Sequence, residues 1–521
     1  MNADLLLTLP VAIPLLTLAA CTVLARYPGL QRLVSLFGSG ALLAASILLL
    51  VEVFDGTVLA TQFGSWEAPF GITFVADLFA AAMVLITGVM AVAVSIYGLV
   101  DGSRERERAL YHPLYHGLLL GVVGAFLTGD IFNMYVWFEI MLIASFGLLV
   151  IGGSKEQLDA GIKYATLNLV ATTVFLLAVG FLYGLTGTLN MADLARALPM
   201  VENQGLVTTL AVMFLLAFGS KAAVFPLFFW LPASYHTASA PVMAIFAALL
   251  TKVGVYAIIR TSTLLFMGSA AFMGPVIGVI AALTMVIGVL GAAAHFDVRR
   301  ILSFHIISQI GYMLVGVAIA TPLAIAGAIL YVIHHIIVKA NLFLIAGAIR
   351  LSGGSFQLKR IGGLYRNTPL LAALFVIPAL SLAGMPPLSG FWAKFVVIKS
   401  SLDPGHMALA AVALIVGLLT LYSMVKIWNE AFWKAPSPFS VEALAAWRAA
   451  PLTRFAMLVP IAALAAITMT IGLYPEPFVE FSLRAANQLL EPKAYMDAVV
   501  GVKTVAEAAS LPVAEATEIV R

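Results

Sequence analysis

The chain alternates long apolar runs with short polar connections from its first residues to about position 474. A run of about 18–25 apolar residues is long enough to cross a bilayer core of about 30 Å as an α-helix. Fourteen such runs are present, at residues 4–24, 31–54, 75–99, 112–129, 131–151, 161–186, 206–230, 239–262, 272–295, 301–319, 322–350, 369–400, 406–433 and 454–474. The pattern predicts an all-α polytopic membrane protein with about 14 transmembrane helices.

The composition agrees with a membrane location and excludes several functions. Of the 521 residues, 62% are hydrophobic and 10% are charged, whereas soluble domains are about 45–50% apolar and about 25% charged. The single cysteine, Cys21, excludes a disulfide framework and any cysteine-ligated zinc or iron–sulfur site, so neither a cofactor nor a metal is expected. A net charge of +3 without a basic patch argues against a nucleic-acid partner.

The placement of Lys and Arg predicts the orientation, because these residues are retained on the cytoplasmic side of a membrane. Most of the 28 Lys and Arg residues fall in one set of alternate connections, whereas the opposite connections hold only Arg196, Arg260 and Lys399. Both termini are therefore predicted to lie outside a bacterial inner membrane. The C-terminal segment 475–521 is expected to be a tail on that outer face. Its basic residues are Arg484, Lys493, Lys503 and Arg521.

A few charged residues lie inside the predicted spans, where a charge is costly. They are Glu139, Lys221, Lys252, Lys339 and Lys394. A Lys or Asp at the centre of a membrane helix costs about 2.5–3.5 kcal/mol on insertion scales. The main deep acids are Glu139 and Asp77, near the start of the third run. Most of the lysines are therefore expected to lack a permanent carboxylate partner.

An unpaired ammonium in an apolar setting gives up its proton more readily, because desolvation disfavours the charged form. Such lysines are suited to a proton relay. Glu139 stands in the apolar stretch Trp137–Met141, and Lys221 is its candidate partner. The alternative is that each ammonium pairs with a carboxylate or a backbone carbonyl only to hold helices together.

Histidines in the eleventh run add to this set. His335 and Lys339 are four residues apart and share one helix face, which suits proton transfer through an intervening water. Adjacent histidines such as His334 and His335 can also bind a metal, but no acid or cysteine is near them in the sequence. We expect His112 and His116 to lie at a membrane entry.

Two runs contain Gly and Pro interruptions close to a lysine. Pro226 follows Lys221 in the seventh run, and Gly384, Pro386 and Pro387 precede Lys394 in the twelfth run. Proline removes a backbone donor and frees a carbonyl, so irregular backbone at this depth requires protein or internal water to satisfy it. Broken helices of this kind mark ion sites in transporters. The alternative is that these prolines serve packing alone.

The interrupted runs are five apart, and an odd offset makes a repeated unit cross the membrane in the opposite sense. The sequence therefore predicts two inverted repeats, helices 4–8 at residues 112–262 and helices 9–13 at residues 272–434. Three N-terminal helices within 1–111, a loop with helix 14 at 435–474 and the tail at 475–521 complete the expected organisation.

At these residues the sequence resembles the antiporter-like proton-channel family that is shared by complex I, membrane-bound hydrogenases and Mrp multisubunit cation/proton antiporters. The resemblance covers about residues 70–435. It rests on an ordered series of stretches, which are Phe138–Glu139, Lys221 with Phe225–Leu227 and Trp230–Pro232, Ala240–Val242 leading to Lys252, Arg300–Tyr312, His334–Phe343, and Gly384–Lys394. Within the family it is most similar to the D subunits of Mrp antiporters, although Phe304 stands where tyrosine is common.

The resemblance implies a water-linked proton axis across the middle of the membrane, with a main set and a secondary set of residues. The main set is Glu139, Lys221, Lys252, His335, Lys339 and Lys394, and the secondary candidates are His334, Asp77, Ser308 and Gln309. It also implies a transporter subunit, not an enzyme, in a hetero-oligomeric complex that exchanges protons for Na⁺ or another monovalent cation. The alternatives are a proton-pumping subunit of complex I or a hydrogenase, and a noncatalytic membrane scaffold.

Overall fold

The computed structural model describes residues 3–101, 110–402 and 405–501, and almost all of them are helical. Two basic residues of the C-terminal segment, Lys503 and Arg521, lie outside the described residues. Within the described ranges, 12 helices are long and apolar enough to cross a membrane. The all-α polytopic membrane fold expected from the apolar runs is confirmed.

The first half of the chain contains the following elements in order. They are α1 (Ala3–Val23), α2 (Pro28–Val53), β1 (Leu59–Gln62), β2 (Thr73–Ala76), α3 (Leu78–Asp101), α4 (Tyr111–Leu127), α5 (Ile131–Val150), α6 (Lys155–Thr186), α7 (Met191–Ala197), α8 (Gln204–Ala222), α9 (Trp230–Ser234) and α10 (Ala240–Leu264). The strands β1 and β2 form an antiparallel hairpin. A π-helical turn at Phe246–Leu250 interrupts α10.

The second half is helical throughout most of its described residues. It contains α11 (Ala270–Ala294), α12 (Val298–Ile319), α13 (Pro322–Gly353), α14 (Leu364–Asn367), α15 (Pro369–Ala383), α16 (Ser389–Leu402), α17 (Met407–Trp433), α18 (Pro438–Ala449), α19 (Pro451–Leu473), α20 (Glu476–Leu490) and α21 (Lys493–Val500). A second π-helical turn ends α17 at Trp428–Trp433. Short 3₁₀ turns lie at Phe63–Ser65, Leu198–Met200, Tyr235–Thr237, Met267–Ser269 and Leu358–Arg360.

Each predicted apolar run overlaps helical structure, but two runs do not form one full-length span. The helix α4 has 17 residues, and the twelfth run is divided between α15 with 15 residues and α16 with 14 residues. The described residues therefore contain 12 continuous candidate spans. The number of fourteen crossings stays a prediction.

The helices at the centre of the bundle are α10, α12 and α13, which are buried along most of their length. Around them, α1, α6 and α17 bury a smaller share and expose large apolar side chains such as Phe181 and Leu418. A helix that is apolar on every side belongs in a protein interior or in lipid. The outer helices are thus suited to lipid contact, and the central three can hold polar groups away from it.

The C-terminal helices cover one end of the bundle, which we call the tail face. The side chain of Gln488 on α20 donates to the Gly56 carbonyl (2.8 Å) and accepts from the Leu78 backbone N–H (3.0 Å). The Thr61 hydroxyl in the hairpin donates to Asp4 near the start of α1 (2.6 Å). The hairpin, α7, α20, α21 and the beginning of α1 therefore share this face. The opposite end, which carries Arg299 and Arg300, is called the basic face.

Both interruptions predicted from the sequence are breaks in the helices. The helix α8 ends at Ala222, Ala223 adopts a left-handed conformation, and the backbone N–H of Phe225 donates to the Thr284 hydroxyl (3.0 Å). The helix α15 ends at Ala383, and Gly384 has a φ of +92°, which favours glycine. Backbone N–H groups at these breaks donate to protein acceptors, as burial at membrane depth requires.

Two loops on opposite faces share the same construction. On the tail face Asp130 caps α5, accepting from the backbone N–H of Asn133, and forms an isolated antiparallel bridge with Asn190. On the basic face Asp297 caps α12, accepting from the backbone N–H of Arg299, and forms the same kind of bridge with Gln357. Each bridge encloses a helix pair whose second member, α6 or α13, has 32 residues.

A packing test follows from the crossing of α10 and α8. A Cβ on Gly254 would lie 2.6 Å from the Ala222 backbone nitrogen and 3.0 Å from the Lys221 carbonyl carbon, so Gly254→Ala forces the two backbones apart. Overpacking of this kind costs about 1–3 kcal/mol. We expect a lower midpoint of thermal unfolding for the purified protein in its complex.

The matched control is Gly180→Ala on the exposed side of α6, where a Cβ meets nothing within 4 Å. This variant should unfold at the wild-type temperature. Equal unfolding temperatures for the Gly254 and Gly180 variants would contradict the close crossing.

Candidate functional site

The first part of the site joins α5 and α8. Glu139 lies near the middle of α5, and its Oε1 is buried without a hydrogen-bond partner among the described residues. Lys221 occupies the last turn of α8, is 5% exposed and donates to the Asn168 carbonyl of α6 (3.4 Å). The two charges lie within electrostatic range of each other, but the structure shows no hydrogen bond or ion pair between these two described residues. Lys221, the candidate partner of Glu139, therefore lies near this carboxylate without direct contact.

Lys252 lies halfway along the central helix α10 and is fully buried. Its Nζ donates to the carbonyl of Ala247, within the π-helical turn just before it. Wider helical turns of this type leave backbone groups free for other partners, and they are frequent at functional sites. The turn therefore supplies an acceptor for an ammonium that has no carboxylate partner among the described residues.

Lys339 and His335 face the neighbouring helices from the middle of α13. Lys339 is fully buried and donates to the Leu302 carbonyl of α12 (3.1 Å). His335 is fully buried, and within the described ranges neither ring nitrogen has a hydrogen-bond partner. The charges of Lys252 and Lys339 both lie within electrostatic range of His335. His335 therefore lies near the lysine of α10 as well as the lysine of α13, and only the second of these neighbours was expected from the four-residue spacing.

His305 on α12 belongs to the same group, although sequence reasoning did not select it as a relay residue. It is fully buried, both of its ring nitrogens lack a partner in the described part of the chain, and Lys339 and Lys394 lie within electrostatic range. Its sequence gave little indication of a role, because a single histidine is common in a helix that carries scattered polar residues. Only the packing of α12 between α13 and α16 shows that His305 stands between two lysines.

The second break holds Lys394, the last lysine of the set. Its Nζ donates to the carbonyl of Ala383 (3.0 Å), the last residue of α15, and lies 4.9 Å from the centre of the Tyr312 ring. The last carbonyls of a helix have no partner within the helix and carry its negative dipole end. A half-helix that ends inside the bundle thus provides the acceptor for Lys394.

His334 connects α13 to this break through two serines. Its Nδ1 is 2.8 Å from the Ser389 hydroxyl, which is 3.0 Å from the Ser381 hydroxyl. Ser381 in turn accepts from the backbone N–H of Gly390 (3.1 Å). The Nε2 of His334 is buried without a partner among the residues that the structure describes, so this ring retains one free nitrogen.

The remaining secondary candidates fall into two places. Ser308 donates to the Met285 carbonyl (2.9 Å), and Gln309 accepts from the Tyr331 hydroxyl (2.5 Å) beside the histidines of α13. Asp77 instead forms a bidentate ion pair with Arg260 of α10, at 2.5 and 2.9 Å. Asp77 is therefore paired with an arginine and not with any of the four lysines.

Arg260 itself was expected in a connection between spans, and the structure places it inside α10. It is 4% exposed and lies one turn before the end of that helix. Arg260 stands near the end of the predicted run 239–262, and the helix continues past it to Leu264. Pairing with Asp77 allows the helix to continue past the charge.

The main set of predicted residues thus forms two groups whose backbones meet. Glu139 and Lys221 form the first group, and Lys252, His335, Lys339 and Lys394 form the second with His305 and His334 between them. The groups come together where Gly254 of α10 lies against the backbone of α8 at Lys221. In the described residues each of the four lysines donates to a backbone carbonyl and forms no ion pair with a carboxylate.

Named relatives match nearly the whole chain. The chain is 47% identical over 494 residues to the D subunit of the Na(+)/H(+) antiporter of Alkalihalophilus pseudofirmus, and the match covers 95% of this chain and 99% of that one. It is 40% identical over 495 residues to the D subunit of the Na(+)/H(+) antiporter of Bacillus subtilis, covering 94% and 98%.

The fold has a solved counterpart. A chain in the structure of the Mrp complex from Dietzia sp. DQ12-45-1b superposes with a TM-score of 0.89 at 36% identity, covering 96% of this chain and 100% of that chain. The family described as NADH:quinone oxidoreductase/Mrp antiporter, TM, matches residues 128–420, which include every residue of the predicted main set. The chain belongs to the NADH:quinone oxidoreductase/Mrp antiporter transmembrane family.

Proposed function

We propose that this protein is a proton-translocating subunit of a multisubunit Na⁺/H⁺ antiporter. The observation that carries the proposal is the series of buried lysines that, within the described ranges, lack carboxylate partners and are linked by histidines with free ring nitrogens. Such groups can take up and release protons without breaking an ion pair. The names of the full-length relatives support sodium as the exchanged cation and a hetero-oligomeric assembly as the setting.

In the proposed mechanism Glu139 controls the charge on Lys221. When the carboxylate approaches the ammonium, it stabilises the charged lysine, which keeps its proton. When the two separate, as they are here, the proton moves toward Lys252 and then along His335, Lys339 and His305. Lys394 is the terminal relay, which exchanges protons with one bulk phase through the break at Gly384–Gly390.

We further propose that the fourth to eighth predicted spans, at residues 112–262, and the ninth to thirteenth, at residues 272–434, are inverted repeats. The matched bridges Asp130–Asn190 and Asp297–Gln357, on opposite faces, support this arrangement. The paired breaks after Ala222 and Ala383 and the two 32-residue helices α6 and α13 support it as well. The repeats give each half one broken helix and at least one mid-membrane lysine.

The main rival is a proton-pumping subunit of complex I or a hydrogenase, driven by redox chemistry elsewhere in the assembly. The family itself includes NADH:quinone oxidoreductase members, so the fold is compatible with both functions. The two relatives named as antiporter subunits favour the transporter over the redox-driven pump. The subunits that copurify with the protein separate the two: an antiporter assembly has no iron–sulfur subunits.

Substituting a single relay residue should strongly reduce Na⁺-dependent proton exchange while the complex still assembles. We expect Glu139→Ala and Lys394→Ala each to lower Na⁺-dependent proton exchange at least ~10-fold, a barrier change of about 1.4 kcal/mol or more, because each removes one end of the proton series. The measurement is the response of a pH-sensitive dye in inverted membrane vesicles, with assembly checked by pull-down.

Matched controls are Glu442→Ala and Lys163→Ala, which remove exposed charges of the same types. Both should exchange at the wild-type rate. Wild-type exchange by the Glu139 or Lys394 variant, in an assembled complex, would overturn the relay.

The charge distribution predicts that the basic face is cytoplasmic and that the tail face with both termini is outside. Since Cys21 is the only cysteine and is buried, single cysteines report the two faces cleanly after Cys21→Ala. In intact cells a membrane-impermeant thiol reagent should label Glu67→Cys on the tail face. It should label Arg448→Cys only after the membrane is opened, and the reverse pattern would invert the proposed orientation.

A further inference from the structure

One face of α10 connects the middle of the site with the tail face. Lys252, Tyr256 and Arg260 follow at four-residue intervals, so they share a helix face, and each is at most 4% exposed. From Lys252 to Arg260 the helix rises about 12 Å toward the tail face. This face is therefore the direct line between the central lysine and the solvent at that end of the protein.

The end of this line is closed by a plug of side chains around Arg260. The guanidinium donates to both carboxylate oxygens of Asp77 (2.5 and 2.9 Å) and to the Tyr256 hydroxyl (3.1 Å). The rings of Tyr256 and of Tyr495 from α21 each lie 5.4 Å from the guanidinium carbon. The Tyr256 hydroxyl donates to the Phe126 carbonyl (2.7 Å). Three guanidinium N–H groups and the Tyr256 hydroxyl proton are thus donated within the plug.

Stability alone does not account for such a plug. Burying an ion pair removes two charges from water, and the attraction between them seldom repays that cost beyond what apolar side chains would give. An arginine also keeps its proton under all ordinary conditions, so Arg260 cannot relay protons itself. A fixed, paired charge two turns from Lys252 is better suited to blocking a route than to carrying protons.

The two tail helices are attached with different strength. The helix α20 is fastened by both polar ends of Gln488 and by Arg484, which donates to the Phe54 carbonyl. The polar attachment of α21 is the partly exposed pair Arg196–Asp497 (3.8 Å) and a bond from Arg196 to the Gly501 carbonyl (3.3 Å). Exposed ion pairs contribute about 0–1 kcal/mol. The polar attachment of α21 is therefore weaker than that of α20.

From this geometry we propose that α21 is a lid, and that its Tyr495 closes a water passage from the tail face along α10 to Lys252. In the closed state, Tyr495 covers Arg260 and separates the central lysine from the bulk phase at that face. When α21 lifts, water reaches Arg260 and Tyr256, and Lys252 gains access to that phase. The inference rests on the proposed function, because Lys252 is taken as part of the proton series.

The first test measures access without measuring transport. Phe79 is fully buried beside the plug, with its ring centre 5.0 Å from that of Tyr256. In a Cys21→Ala background, Phe79→Cys should react slowly with a hydrophilic thiol reagent in the purified complex in nanodiscs. Adding Tyr495→Ala should raise the labelling rate at least fivefold, whereas Tyr495→Phe, which keeps the ring, should leave it unchanged.

The second test measures proton leak in liposomes that contain the complex but no Na⁺. Under an imposed membrane potential, Tyr495→Ala should raise proton flux at least threefold. Tyr474→Ala, an exposed tyrosine at the end of α19, should not. If Tyr495→Ala fails to assemble, Arg196→Gln loosens α21 from its other end without touching the plug and should give a smaller increase of the same sign.

The outcomes separate the lid from the proposed function. Unchanged labelling in Tyr495→Ala and Arg196→Gln overturns the lid, whatever the exchange activity. Increased labelling without proton leak overturns the passage to Lys252. Increased labelling and leak, with the leak removed by Lys252→Ala, supports the proposal. Failure of the proposed function would be seen in a separate measurement, as wild-type Na⁺-dependent proton exchange by the Glu139→Ala variant.

Discussion

The structure depends on how an ammonium group is satisfied in the middle of a membrane. In hydrocarbon a lysine needs an acceptor, and a carboxylate partner fixes its proton in place. The four lysines of the predicted main set donate to backbone carbonyls instead. A carbonyl offers a dipole without a full charge, so it solvates the ammonium without pairing it to an anion.

This requirement explains the irregular backbone. Every carbonyl inside a regular helix already accepts an intrahelical bond, so spare acceptors arise where the helix changes or ends. The π-helical turn before Lys252 offers Ala247, and the end of α15 offers Ala383 to Lys394. Lys426 near the end of α17 follows the same rule, since it donates to carbonyls at the end of α11, those of Ala293 and His295. A helix turn or a helix end thus supplies the acceptor for Lys252 and Lys394, whereas Lys221 and Lys339 donate to the Asn168 and Leu302 carbonyls within the continuous helices α6 and α12.

Much of this arrangement could be predicted from sequence because charge in an apolar run is conspicuous. Lys221, Lys339 and Lys394 required no knowledge of packing, and the prolines beside two of them indicated the breaks. Proximity between helices distant in sequence could not be predicted in this way. The free histidine His305 and the pairing of Asp77 with Arg260 depend on which helices become neighbours, and residue spacing along one helix carries no information on that.

The central helix α10 carries two buried basic residues of different types at two depths. Lys252 and Arg260 are both buried cations on one face, but Lys252 donates to a carbonyl whereas Arg260 has a carboxylate, a hydroxyl and two aromatic rings. The planar guanidinium donates to both carboxylate oxygens of Asp77 and remains charged, whereas the ammonium is a point charge that can be deprotonated. One face of α10 therefore carries, at its middle, an ammonium that has no carboxylate partner among the described residues and, near its end, a guanidinium in a bidentate ion pair. A lysine at position 260 could not form the bidentate contact with Asp77, because that contact depends on the planar fork of the guanidinium.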